Sequence, residues 1–197
     1  MQKKMISAVA AVVAGIVLAA PAGAAEWLLS GDESKIAFGS VKKNAVGEAH
    51  HFSGLKGSVT NDGKATVEID VTSVETWIDI RNERMLKHVF ASAEYPIAVI
   101  TAEIDMDEVN GLKPGETTTV TAAAMLEVAG AEVALDADLF VAALADNKVL
   151  VTTDEMIMLS TADLGIDAGV DELKELAKLP SITRVAPVTL RLVFEKG

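Results

Sequence analysis

Residues 55–71, LKGSVTNDGKATVEIDV, decide the fold. Asn61-Asp62-Gly63 is a tight-turn signal. Beyond it Val67, Ile69 and Val71 fall on one face and Glu68 and Asp70 on the other, the alternation of a half-buried antiparallel strand. Leu55–Val59 before the turn completes a hairpin. The same period recurs outward in both directions. Ile97–Met106 places Ala98, Ile100, Ala102, Ile104 and Met106 together, and Thr117–Leu126 does so with Thr118, Val120, Ala122, Ala124 and Leu126. Past a turn at Gly130 come Leu135, Ala137, Leu139 and Val141. Val149–Thr153 and Met156–Leu159 are shorter apolar runs, and the last strand sets Val188, Leu190, Leu192 and Phe194 inward. Upstream, Ser34–Ser40 carries Ile36 and Phe38, and Val46–Phe52 has His50 and Phe52 opposite Ala49 and His51. Eight or more strands at this spacing predict an all-β antiparallel barrel or sandwich.

Two stretches interrupt the strands. Ser73–Pro96, SVETWIDIRNERMLKHVFASAEYP, holds one of the two Trp, the only Tyr and the Arg81-Asn82-Glu83-Arg84 cluster. Ile80, Arg84, Met85, His88 and Val89 stand at helical spacing, so one or two turns are expected after Asp79. Long ordered connections usually carry function; the plainer reading is a cap that packs Trp77, Leu86 and Phe90 into the barrel end. Gly169–Leu179 reads as a second short helix, with Asp171 and Glu172 in its first turn, Lys178 near its end and Pro180 beyond it.

Lys3 and Lys4, the apolar run Met5–Ala20 and the small residues Pro21–Ala25 have the form of a cleaved secretory leader, so residues 1–25 are expected to be a signal peptide. Residues 26–197 then form one domain of about 172 residues, with no stable membrane span after cleavage and a periplasmic location. The chain has no Cys, which excludes a disulfide framework and a lipid-modified N-terminal cysteine. Seventeen basic residues stand against 29 acidic ones, and both leader lysines are basic, so the exported chain is more acidic still. Such a domain is repelled by nucleic acid.

No phosphate-binding Gly pattern and no Gly-x-Ser-x-Gly elbow is present. His50 and His51 are adjacent on a strand and point to opposite faces, so they cannot both face one metal ion without a bulge, and no metal site or cofactor is expected. The pairs Asp136/Asp138 and Asp154/Glu155 read as solvated faces. The informative feature is bulk: Ala98, Ala102, Ala122, Ala124 and Ala137 point inward where a filled barrel would use larger side chains. An eight-stranded barrel is either just filled or holds one ligand, and small inward residues favour an apolar lumen.

Ser73-Val74-Glu75-Thr76, Arg81-Asn82-Glu83-Arg84-Met85-Leu86, Phe90 and Glu94-Tyr95-Pro96 resemble the motif of the YceI-like family of exported lipid- and polyisoprenoid-binding proteins. Trp27, Ser34-x-Ile36-x-Phe38, Phe52-x-Gly54-Leu55-x-Gly57, Leu126-x-x-x-Gly130, Asp163-Leu164-Gly165-Ile166 and Pro187-Val188-x-Leu190 support it. The resemblance implies a lipocalin-like eight-stranded barrel, with a long loop and short helix at its mouth and one extra short helix near the C-terminus. It implies one long amphiphile in the lumen (an isoprenoid quinone, a polyisoprenoid or a fatty-acid-like lipid) and no catalysis. The tail would lie among Phe38, Phe52, Ile100, Leu126, Leu139, Met156, Met158 and Phe194. Trp77, Arg81, Asn82, Met85, Leu86, Phe90 and Leu164 would form the mouth, with Arg81 hydrogen-bonding the head or pairing with Asp79 or Glu83. Glu33, Asn82, Ile100, Ala131 and Glu132 replace the family's usual His, Asp, Phe and basic residues, which favours a neutral head such as a quinone over a pyrophosphate. A homodimer is left open, and so are two other functions: a ligand-free envelope module, and a periplasmic hydrolase using His88 with a carboxylate.

Overall fold

The computed structural model describes residues 25–197; the expected leader lies outside them apart from Ala25. In chain order the strands are β1 (Ala25–Leu29), β2 (Lys35–Lys42), β3 (Val46–Phe52), β4 (Leu55–Thr60), β5 (Lys64–Asp70) and β6 (Val74–Glu75). There follow β7 (Ile97–Glu103), β8 (Thr117–Val128), β9 (Ala131–Ala143), β10 (Lys148–Thr153), β11 (Ile157–Ser160) and β12 (Val185–Lys196). Three helices interrupt them: α1 (Asp79–Arg84), α2 (Asp107–Asn110) and α3 (Asp167–Leu176). Residues Met85–Val89 continue α1 as a wider π turn.

The hairpin that opened the reading forms as expected, with Leu55 opposite Ile69 and Val59 opposite Ala65. Its turn requires Gly63: φ is +81° and a Cβ there would lie 2.0 Å from the Ile104 carbonyl oxygen, so only glycine fits. From this hairpin, pairing runs β1-β4-β5-β7-β8-β9-β10-β12, and β12 returns to β1 to close an eight-stranded antiparallel barrel.

The other four strands prolong members of this ring. Toward its C-terminus β12 is flanked by β10 and β1, and toward its N-terminus by β11 and β2. β1 and β2 are thus one wall strand broken at residues 31–33, and β10 and β11 one broken at 154–156. Since β3 pairs with β2 and β6 with β3, β3/β4 and β5/β6 are broken in the same way. Three of these breaks lie side by side. A Cβ on Gly31 would sit 2.7 Å from the Leu55 carbonyl oxygen, and one on Gly54 2.9 Å from the Ser73 Cβ.

The inward faces are those the alternation gives: Val67 and Ile69, Ala98, Val120, Ala122 and Leu126, Val141, and Leu192 and Phe194 are buried. Between them Thr101, Glu103, Thr119, Thr121 and Glu127 face solvent. Trp27, Met106 and Val109 close the lower end, all buried. At the upper end α3 lies across the π turn, so closely that a Cβ on Gly169 would be 2.0 Å from the His88 carbonyl oxygen. α3 begins two residues earlier and stops three earlier than the hydrophobic spacing predicts. Lys178 turns left-handed (φ +52°), and the Leu179 and Lys178 amides bond back to the Lys174 and Glu175 carbonyls, a Schellman stop that outweighs the apolar period. Among the described residues no helix is long and apolar enough to cross a membrane.

Candidate functional site

The barrel encloses a cavity of about 550 Å³, within the range of small-molecule sites. Its walls differ in bulk. On one side Ala65, Ala102 and Ala124 stand in register across β5, β7 and β8, next to the Ala122–Ala137 pair of β8 and β9. On the other side Phe38, Phe52 and Phe194 face them across the lumen. Ala65, Ala102, Ala124, Leu135 and Leu139 point inward yet are only partly buried, which side chains in a filled core would not be. A hydrocarbon-lined space of this size cannot hold ordered water stably, because each water needs two to four polar partners.

The open end follows from residues that line the cavity and also face solvent: Ile78, Ile80, Ala177, Thr183 and Val185. Just inside it lies the polar part of the lining. Glu48 Oε1 accepts from Arg81 Nη1 and Lys42 Nζ, each at 2.6 Å. Burial works against the Glu48 carboxylate, but the hydrogen bonds from Arg81 and then Lys42 outweigh it and hold its pKa below the usual value. Arg81 also donates from Nη2 to the Thr76 carbonyl, while its Nε–H is buried without a partner.

His50, 4% exposed, stands beside Phe38 and has its Nε2 3.4 Å from Ser40 Oγ, with Nδ1 unpartnered. Burial above all, then the Arg81 charge, pushes its pKa down to about 4, so the imidazole is neutral at pH 7. In the tautomer where Ser40 donates to Nε2, Nδ1–H is a second donor free for a ligand. Three cations (Lys42, Arg81 and Arg84), one anion and a neutral imidazole therefore leave the lining here with two net positive charges and two unsatisfied nitrogen positions.

The sequence-predicted residues divide cleanly. Phe38, Phe52, Ile100, Leu126, Leu139 and Phe194 line the lumen, and Arg81, Met85, Phe90 and Leu164 line it at its upper end. Met156 and Met158 do not: they are 64% and 61% exposed on the outer surface, and Ile157 and Leu159 point inward in their place. All four residues of that short run are apolar, so the alternation cannot orient it, and a slip of one residue exchanges the faces.

Trp77 is 75% exposed and stacks obliquely on His51 outside the barrel, ring centroids 5.7 Å apart. Leu86 packs against the core behind the lining. Asn82 is turned into its own loop: Oδ1 accepts from the Thr76 amide and hydroxyl, and Nδ2 donates to Glu75 Oε1. It therefore carries no information about the head. Neither does Glu33, which pairs with Lys148 at 2.6 Å and lies outside the cavity lining, as do Ala131 and Glu132. Arg81 pairs with Glu48 rather than Asp79 or Glu83.

Glu48, Lys42 and Ser40 were not singled out by the sequence, although Glu48 shares the inward face of β3 with His50 and Phe52. Among the described residues, no group of three His, Cys, Asp or Glu side chains could hold a metal ion.

A model of the YceI-like domain matches residues 27–194. The chain belongs to the YceI-like family. A polyisoprenoid-binding domain from Saccharophagus degradans, implicated in plant cell wall breakdown, is 34% identical and superposes with a TM-score of 0.85 over 88% of this chain and 99% of its own. Two more distant barrels share the fold. BcnA of Burkholderia cenocepacia is 17% identical, with a TM-score of 0.64 over 84% of this chain and 98% of its own. The YceI protein of Campylobacter jejuni is 14% identical, with a TM-score of 0.55 over 75% of this chain and 85% of its own. No curated protein matches the sequence. The closed eight-stranded barrel is the architecture the resemblance implies, and it decides between the barrel and the sandwich that the strand pattern left open.

Proposed function

We propose that this protein is a periplasmic carrier that sequesters one long-chain amphiphile, with an isoprenoid-type tail in the lumen and a carbonyl-bearing head such as a quinone against Arg81 and His50. One observation carries this reading: at its open side the apolar cavity ends in two buried nitrogens without partners, His50 Nδ1 and Arg81 Nε, while Trp27 Nε1 is the one other such atom among the described residues and lies at the closed end. Orphaned buried polar groups are costly, and a head with carbonyl acceptors relieves that cost while the tail buries apolar surface. A diphosphate monoester, with about three negative charges, would exceed the two excess cations of the lining away from bulk water. The Saccharophagus relative is a polyisoprenoid-binding domain, which agrees with the tail.

The same groups argue for binding rather than catalysis. His50 is neutral and wedged against Phe38, and Glu48 is held ionised by two cations, so neither is poised to exchange protons near pH 7.

The test is to purify the protein from its native envelope, extract it with organic solvent and weigh the extract by mass spectrometry. One isoprenoid lipid per chain is expected, and delipidated protein should rebind a quinone. Arg81→Ala should weaken the quinone at least tenfold and its bare hydrocarbon tail less than twofold. No stoichiometric lipid together with no quinone binding would overturn the carrier, and equal losses for head and tail would reduce Arg81 to a structural role.

A further inference from the structure

The open end of the barrel has a second property. Ile78, Ile80, Leu176 and Val185 are all exposed around it, and Trp77, exposed on the outer wall beside His51, immediately precedes Ile78. Ile78, Ile80 and Val185 also line the cavity, and the Arg84 Nη1 to Leu176 carbonyl contact at 3.5 Å brings Leu176 to the same rim. The prominence of Trp77 is built in. Its φ of +65° is a conformation bulky residues rarely adopt. The turn is locked by the fully buried Thr76, by Asn82 and by Glu75, whose carboxylate accepts the Trp77 amide. A strained turn fixed on both sides holds the indole with one ring face toward His51 and three quarters of its surface in solvent, open to a further partner.

Charge separates this end from the rest of the molecule. The segments that build it, residues 40–48, 75–90 and 161–184, carry eight Lys or Arg against nine Asp or Glu; the remainder of residues 25–197 carries seven against 20. Lys43, Lys87 and Lys178 are exposed on these segments and make no ion pair among the described residues. An anionic surface therefore repels the end that bears the apolar rim and the opening far less than the rest of the barrel.

We propose that this rim docks on an anionic phospholipid bilayer, with Trp77, Ile78 and Ile80 entering the interface and Lys43, Lys87 and Lys178 over the headgroups. Indole rings favour the membrane–water interface, and clustered lysines are drawn to anionic leaflets within a Debye length. The docked orientation sets the cavity opening against the lipid, so cargo crosses without traversing water. The docking surface does not depend on what the lumen holds.

The test uses delipidated full chain and two sets of vesicles without quinone, one of phosphatidylcholine and one mixed equally with phosphatidylglycerol. Trp27 is buried at the far end, so an emission change or bromolipid quenching reports Trp77. Binding to the mixed vesicles at low salt with a blue shift is expected, at least tenfold tighter than to phosphatidylcholine alone. Trp77→Ser should weaken co-sedimentation at least tenfold, and the triple reversal Lys43→Glu, Lys87→Glu, Lys178→Glu should remove the preference for the anionic vesicles. Absence of binding at low salt would overturn the proposal, as would binding that neither variant weakens. Concentration-dependent self-association abolished by Trp77→Ser, without vesicle binding, would assign the rim to a protein contact and also overturn it. Lipid extraction from the native protein stays informative in each case, so failure here and failure of the carrier reading are distinguishable.

Discussion

Filling the lumen gives the sharpest test of its being hollow, because the two pictures predict opposite signs. Ala124 on β8 points inward between Ala102 on β7 and Leu135 on β9. Ala124→Leu adds three carbons, and at about 0.8 kcal/mol per buried CH₂ these contribute about 2.4 kcal/mol if there is room for them. Ordering the leucine costs about 0.5–1 kcal/mol, leaving a net stabilisation of about 1.5–2 kcal/mol for the empty protein. For a domain of this length that raises the melting midpoint by roughly 3–8 °C. In a core already filled, the same substitution overpacks and costs about 1–3 kcal/mol. Thermal and urea unfolding of delipidated wild type and variant decide between them, and binding of a long-tailed quinone should weaken at least tenfold as the leucine takes tail space. A delipidated Ala124→Leu protein that is less stable than wild type and binds quinone as well would refute the cavity as the ligand site.

Three further outcomes are expected. The His50 pKa is depressed in the folded chain from 6.5 to about 4, so below pH 6.5 the unfolded chain binds the extra proton first. Stability is complete above that pH and falls by about 3 kcal/mol as pH drops toward 4; urea titrations should show His50→Gln losing that much less over the interval, and an identical pH slope would exclude His50 as the cause. Asn82→Asp keeps the acceptor for Thr76 but sets a carboxylate against Glu75, 3.2 Å from the atom it replaces. It should cost about 1–2 kcal/mol in unfolding experiments without changing the quinone-to-hydrocarbon affinity ratio; a changed ratio would return Asn82 to the head site. Gly169→Ala drives a methyl into the His88 carbonyl, 2.0 Å away. It should destabilise by about 1–3 kcal/mol or more and accelerate ligand release in stopped-flow exchange, and an unchanged release rate would show that the α3 contact does not guard the opening.

The lumen was legible where polarity alternates. β7, β8, β9 and β12 carry Thr, Glu, Asp or Arg on one face, so period two assigns Ile100, Leu126, Leu139 and Phe194 without ambiguity. It fails at β11, where Met156 to Leu159 are apolar on both faces and the strand is only four residues long. The polar rim was half legible. Arg81 stands out within its charged cluster, but its partner Glu48 is on strand β3, 33 positions earlier, and local spacing offers only Asp79 and Glu83. His50 was noticed as a metal candidate, whereas its role depends on burial and on a neighbouring guanidinium that only the closed barrel supplies. Trp77 was misplaced for a different reason: an aromatic in a binding loop suggests contact with ligand, but its left-handed backbone turns it outward.

The broken strands divide the wall mechanically. β7, β8, β9 and β12 run unbroken for 7, 12, 13 and 12 residues, so their ladders resist bending along their whole length. On the opposite arc the breaks after β1, β3 and β5 align at Gly31, Gly54 and Ser73 and form a crease at mid-height, above which β2, β3 and β6 hang as a separate flap. A barrel made this way is continuous along β7, β8, β9 and β12 and creased where β1, β3 and β5 are interrupted. Any change in the girth of the lumen then falls on that crease, where fewest ladder bonds are lost, with the unbroken strands keeping their registers and β12 acting as the spine.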